Sequence, residues 1–150
     1  IHGPVAGGTC TVCHNPHGSK FDKNLRSPVP VLCMFCHTSV GGSEAPVQHQ
    51  PFKDGRCVAC HDPHATGNRW VLVSKSSELC FNCHGKDGKM DGHSHPFDRK
   101  PKLEMETSLA LTKNGKLECL TCHFPHGSNS AHLLRTRPEN ECIGCHPEHE

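Results

Sequence analysis

Cys-x-x-Cys-His occurs six times in this 150-residue chain, at Cys10–His14, Cys33–His37, Cys57–His61, Cys80–His84, Cys119–His123 and Cys142–His146. The six copies use all twelve cysteines: Cys10, Cys13, Cys33, Cys36, Cys57, Cys60, Cys80, Cys83, Cys119, Cys122, Cys142 and Cys145. Two thiols three positions apart lie on one face of a helical turn, so both can reach the vinyl groups of one porphyrin and form thioethers. The histidine that follows presents its imidazole to the iron from the same side, which is why this pattern marks attachment of a c-type haem. Six motifs call for six haem c groups, with His14, His37, His61, His84, His123 and His146 as proximal iron ligands.

Zinc is the competing reading. Nineteen residues separate Cys13 from Cys33, and paired CxxC units at about that spacing also describe a four-cysteine zinc site. Zinc does not ask for a histidine after the second cysteine. Histidine makes up 15 of 150 residues, so six such histidines would arise by chance about once in a million at composition frequency. The haem reading is therefore the stronger one.

The spacing of the motifs reveals an internal repeat. First cysteines are 23 residues apart within each pair of motifs, Cys10 to Cys33, Cys57 to Cys80 and Cys119 to Cys142. The unit is a two-haem module used three times, over 1–46, 47–90 and 91–150, in one continuous haem-cored domain. The first motif of each module continues as His-x-Pro-His, giving His17, His64 and His126, and then as a small residue and a hydroxyl: Gly18-Ser19, Ala65-Thr66 and Gly127-Ser128. A leucine stands eight residues before each second motif, Leu25, Leu72 and Leu134, and is expected to pack on a porphyrin face. Motifs four and five are 39 residues apart, against 24 between motifs two and three. Within that insertion, Leu109–Glu118 alternates apolar and polar residues around Asn114-Gly115, which suggests a β-hairpin, with an ordered loop as the alternative.

Six irons need six further ligands if all are saturated, and the repeat supplies them. His17, His64 and His126 recur after the first motifs, while His2 and His49 stand eight residues before Cys10 and Cys57. The third module offers His93 or His95 in that role, with His95 favoured because it lies eleven residues after His84, close to the twelve from His37 to His49. A histidine three residues after its own proximal ligand is badly placed to reach the far face of the same haem. It is expected to serve a neighbour, with the second haem of its own module as first choice. Of the remaining histidines, His132 takes the place of Lys23 and Trp70 and is expected at a haem edge, whereas His149 near the C-terminus is a candidate donor to the next molecule. Met34, Met90 and Met105 are weaker axial candidates because none recurs with the repeat.

These residues resemble the multihaem c-type cytochromes built from a doubled CXXCH module, including those that polymerise into extracellular conductive filaments. The likeness runs from His2 to His146, and the His-x-Pro-His continuation makes it more specific than the haem motif alone. The resemblance implies low-spin bis-histidine haems in a continuous chain of stacked and tilted pairs. For filament members it also implies one axial histidine that crosses between subunits, and it points to a prokaryotic source.

Apolar residues are 33% of the chain, twelve of them the motif cysteines, too few to build a side-chain core that offsets ordering entropy. The expected fold therefore has little regular secondary structure: coil and short one-turn helices wrapped on haem, with starts at Ser76-Ser77-Glu78 and Pro138–Glu141 and one hairpin near 109–118. Without haem the chain is expected to be disordered, because cofactor binding and folding are coupled.

The formal charge of +1 falls to roughly −5 once six ferric haems with ionised propionates are added. That balance, with scattered Lys and Arg, argues against nucleic acid. No apolar stretch approaches the length of a membrane span. Haem attachment implies export, to the cell exterior or, alternatively, the periplasm, and the start at Ile1 without a signal peptide is read as a processed chain or fragment.

Three function classes compete. Electron transfer, as a filament subunit polymerised with neighbouring copies or as a discrete periplasmic shuttle, would use donor and acceptor proteins or an extracellular acceptor. A multihaem reductase needs an open iron and acid–base groups, yet the chain has no Cys-x-x-Cys-Lys motif and no tyrosine. Storage of haem without a redox task is the third. Electron transfer is favoured, with the filament ahead of the shuttle and no enzymatic role expected.

Overall fold

The computed structural model describes residues 1–85, 97–101, 112 and 114–135. Coil and turn dominate these residues. Helices are short: α1 Gly3–Ala6, α2 Val29–Met34, α3 Gln50–Lys53, α4 Ser76–His84 and α5 Cys119–Cys122. Strand β1 (Val47–Gln48) pairs antiparallel with β2 (Gly127–Ser128) in the register Val47 to Ser128 and Gln48 to Gly127. Little regular secondary structure was expected and is found. The second motif of the third module and the Pro138–Glu141 helix start lie outside the described residues, as do His93, His95 and His149.

Local chemistry sets where the short helices begin. Pro4 and Pro30 sit in the first turns of α1 and α2, where a missing N–H costs nothing. In α5 the Glu118 carboxylate accepts the Thr121 N–H, and Thr121 Oγ accepts the Glu118 N–H at 3.0 Å, a reciprocal cap that buries Thr121 fully. Helix α4 starts at Ser76 as the sequence suggests, but the Ser76 hydroxyl donates to the Glu118 carboxylate instead of capping its own helix.

The chain forms two compact units. One comprises residues 1–40 and 50–74, the other 41–49 and 75–150. In the first unit, Gly55 (φ +69°) passes so close to α2 that a Cβ there would meet Pro30 at 2.8 Å. In the second, Gly42 (φ +80°) lies against Gly127, and a Cβ on Gly42 would come within 2.1 Å of the Gly127 carbonyl oxygen. Only glycine allows both that φ and that approach.

The expected hairpin at 109–118 falls partly outside the described residues. Its described part is a tight turn, with Gly115 N–H donating to the Thr112 carbonyl at 2.9 Å and Thr112 N–H to that of Lys116 at 3.0 Å. Leu117 then exchanges backbone hydrogen bonds with Asp98 and Arg99, both at 2.9 Å.

A side-chain core is nearly absent among the described residues. Among the described residues, the buried apolar ones are Leu72, Cys119 and Leu120, while Phe35 is 82% exposed, Val31 60% and Val58 51%. Several of the exposed apolar residues lie inside or beside the Cys-x-x-Cys-His motifs: Val12, Met34, Phe35 and Val58. The polypeptide covers these side chains only in part, and a porphyrin is the group that would cover the rest.

Candidate haem centres

The three first motifs share one local structure. Cys10–Val12 and Cys57–Ala59 form 3₁₀ turns, and Cys119–Cys122 is α5. After His-x-Pro-His the chain reverses and returns, so that His14, His61 and His123 bridge antiparallel to Leu25, Leu72 and Leu134. Just before each leucine lie two consecutive left-handed residues, Lys23-Asn24, Trp70-Val71 and His132-Leu133, with φ between 49° and 59°. For residues such as Val71 this backbone is unfavourable, and it persists with the carbonyls of both residues of the pair held by hydrogen bonds. Asn15, Asp62 and Phe124 donate their N–H to the second residue of each pair at 2.7, 2.8 and 2.7 Å.

That strained turn aims a carbonyl at the proximal histidine. His14 Nδ1 donates to the Lys23 carbonyl at 2.8 Å, His61 Nδ1 to that of Trp70 at 2.9 Å, and His123 Nδ1 to that of His132 at 2.8 Å. A carbonyl can only accept, so the proton is fixed on Nδ1 and the Nε2 lone pair is left for a metal. The sequence assigned His132 a haem edge; its backbone oxygen is what the structure uses. The main-chain role of this position, nine residues after each proximal histidine, has no sequence signal because its side chain varies between lysine, tryptophan and histidine while its backbone conformation does not.

The recurring hydroxyls hold the same loop. Ser19 and Ser128 donate to the Leu25 and Leu134 carbonyls and accept the N–H groups of Phe21 (3.0 Å) and Ser130 (2.9 Å). In the second repeat Thr66 accepts the Asn68 N–H at 3.1 Å, and the Asn68 side chain reaches the Leu72 carbonyl at 3.0 Å in its place. The leucines expected to pack on porphyrin are thus also fixed through their main chain.

The second motifs are built differently. Cys33 lies in α2, and the whole of Cys80–His84 lies in α4. Among the described residues, no backbone carbonyl accepts from the imidazole of His37 or His84. The anchored imidazole at these motifs comes from upstream instead. His2 Nδ1 donates to the Pro63 carbonyl at 2.8 Å, while His2 N–H donates to His64 O at 2.9 Å. His49 repeats this with Pro125, and its N–H donates to His126 O at 3.1 Å, extending the β1–β2 pair. Burial, and then the neighbouring His84, lower the pKa of His49; the Pro125 carbonyl opposes them.

Three pairs of imidazoles face each other across a gap. Ring centres are 6.0 Å apart for His2 and His37, 6.1 Å for His14 and His64, and 5.8 Å for His49 and His84, with interplanar angles of 18°, 13° and 29°. Two metal–nitrogen bonds of about 2 Å, plus about 1.1 Å from each nitrogen to its ring centre, give roughly 6 Å. Offset ring stacking covers a similar range, but it gives no reason for one separation to recur in three pairs that each join a motif histidine to a non-motif one. The donors fit an iron held between two histidines. Among the described residues no three His, Cys, Asp or Glu side chains converge as a zinc site needs.

One expectation is corrected. His64 was expected to serve the second haem of its own module, but its ring faces His14, the proximal histidine of the preceding module. The His2–His64 main-chain bond carries the His-x-Pro-His loop of the second repeat onto the first, and the second-motif histidine of the first module is met by His2. The imidazole of His17, by contrast, has no ring or carbonyl partner among the described residues, although its N–H donates to Asn15 Oδ1 at 3.2 Å. His126 lies edge-on to Phe124, with ring centres 6.3 Å apart at 80°.

Thiols of successive motifs also approach each other. Cys33 is hydrogen-bonded to Cys57, and burial followed by Cys57 and Cys13 pushes its pKa up to about 11. Cys119 is hydrogen-bonded to Cys80, which pulls its pKa down to about 7 against the effect of burial. The ten described cysteines form no disulfide, leaving each thiol available for a thioether. Where two such thiols adjoin, the edges of the two porphyrins they would carry adjoin as well.

No helix among the described residues is long and apolar enough to cross a membrane. No curated protein matches the chain. The model of the doubled CXXCH motif family matches residues 2–42, 49–89 and 111–150, three segments that each contain one of the three first-motif loops. The chain belongs to the doubled CXXCH motif family and is a multihaem c-type cytochrome, with covalently bound haem c and electron transfer as its chemistry.

Proposed function

We propose that the protein carries six haem c groups, each iron closed by two histidines, and passes electrons along them as the repeating subunit of an extracellular filament. The observation that carries the electron-transfer reading is the recurrent separation of about 6 Å in three histidine pairs, which leaves no open position on an iron between them. On this reading His14, His37, His61, His84, His123 and His146 are proximal ligands, and His2, His49, His64, His126 and His95 are distal ligands. Bis-histidine ligation keeps potentials lower than histidine/methionine ligation does, and a saturated iron does not bind substrate.

His17 supports the filament. Its counterpart His64 faces the first-motif histidine of the preceding repeat, and His17 belongs to the first repeat. The matching acceptor for an exposed His17 is a first-motif iron in a neighbouring copy. His149 is the second candidate for such a crossing.

Electron microscopy of the purified holoprotein tests the assembly. Unbranched threads are expected, lost in His17→Ala while low-spin haem absorption is retained. Monodisperse particles under native conditions would replace the filament with a discrete periplasmic shuttle. Intact mass is expected to equal the polypeptide plus six haems. A high-spin signal, or nitrite binding without ligand displacement, would favour a reductase.

A further inference from the structure

The residue between the proximal histidine and the proline is the one position of the His-x-Pro-His stretch that changes chemistry between repeats: Asn15, Asp62 and Phe124. In the first two repeats its side chain makes the same bond. Asn15 Oδ1 accepts the His17 N–H at 3.2 Å, and Asp62 Oδ1 accepts the His64 N–H at 2.8 Å. The third repeat keeps its loop without that bond and sets a phenyl ring beside His126. The backbone therefore does not require a charge here.

Asp62 nevertheless places one next to an imidazole. Its Oδ1 lies 3.7 Å from His64 Nδ1, the nitrogen that is the outer one when Nε2 is the metal donor. We propose that Asp62 sets the reduction potential of the iron held by His14 and His64, through a carboxylate facing the outer nitrogen of its distal ligand. This rests on the reading that those two histidines hold a haem. A negative charge at this point stabilises the ferric over the ferrous state, and a carboxylate facing Nδ1–H strengthens the imidazole as a donor, so both effects lower the potential. The step concerned is the gain of one electron by ferric iron to give ferrous iron, with both axial ligands kept. Asp62 acts through His64 and is a positioning residue.

The repeat itself supplies a clean variant. Asp62→Asn keeps an oxygen for the His64 N–H, as Asn15 does for His17, and removes only the charge. In a potentiometric titration of the holoprotein followed by NMR, with haem methyls assigned to their motifs, Asp62→Asn is expected to raise the midpoint of the Cys10/Cys13 haem more than that of any other. Asp54→Asn removes an exposed charge in the same unit, where Asp54 is bonded to Gln50, and is expected to shift no haem selectively. An unchanged midpoint at the Cys10/Cys13 haem, or equal shifts at all haems, would overturn the proposal. As a second readout, the Nδ1 nitrogen resonance of His64 in the reduced protein is expected to move away from the imidazolate range in Asp62→Asn; no movement also overturns the proposal. Failure of the underlying ligation would appear separately, as a high-spin Cys10/Cys13 haem in the native protein.

Discussion

The first two modules each solve the same problem twice in two different ways. At a first motif the chain doubles back, and a strained main-chain turn anchors the proximal histidine, as Lys23 O does for His14. At the described second motifs a short helix leads into the motif, ending at Met34 in one and on His84 in the other, and the anchored imidazole is the opposite one, as with His2 on Pro63 O. One imidazole of each observed pair is thus held by a backbone carbonyl, on alternating sides. A single anchor fixes ring orientation and tautomer, and the other imidazole can then come from a separate stretch of chain. That freedom is what lets His64 of one repeat meet His14 of another.

If haem is the core that both halves share, its absence should erase the difference between them. The largest expected effect is therefore in the chain expressed without haem attachment: loss of the ordered circular-dichroism signal and of amide protection at first and second motifs alike. Protection that survived in the first-motif loops would show that their hydrogen bonds stand alone.

Next in size is a steric change that separates the first-motif loops from one another. Gly127→Ala would bring a Cβ within 2.3 Å of the Gly42 carbonyl oxygen, whereas at the equivalent Gly18 nothing lies within 4 Å and the second repeat naturally has Ala65. Gly127→Ala is expected to destabilise the holoprotein by about 3 kcal/mol. Gly18→Ala, at φ +109°, should cost about 1 kcal/mol. Chemical denaturation of the two variants side by side checks the ratio.

The strained turn gives a change of opposite sign. Val71 is β-branched and left-handed at φ 49°, so Val71→Gly is expected to stabilise the protein by about 1 kcal/mol in thermal unfolding. Val71→Pro cannot adopt that φ and should release Trp70 O from His61, speeding exchange of the His61 Nδ1 proton. The second-motif histidines should be unaffected by either variant.

The smallest effect is expected from Ser19→Ala, which leaves the Leu25 carbonyl without its hydroxyl donor. A cost of about 0.5 kcal/mol is expected for this exposed bond, against none for a serine placed outside the loop. Amide exchange around Leu25 is the sensitive readout.

Much of the haem chemistry was legible because it is written in side chains at fixed offsets. Cys-x-x-Cys-His names the attachment site, and recurrence marked His2, His49 and His64 as special before any geometry. What escaped was main-chain chemistry. Lys23, Trp70 and His132 share only a backbone conformation, and no residue preference announces two successive left-handed residues where glycine and asparagine are mostly absent. The capping pair Glu118 and Thr121 gives no periodic signal because its helix is only four residues long.

By itself, the sequence determined the haem stoichiometry to expect, the threefold dihaem repeat and the poverty of regular structure, since each depends on residue identity and spacing along the chain. Only the tertiary structure decided which histidine faces which. His64 meets His14 and His2 meets His37 because main-chain bonds between segments about sixty residues apart carry those loops together, and nothing in a local pattern encodes that distance.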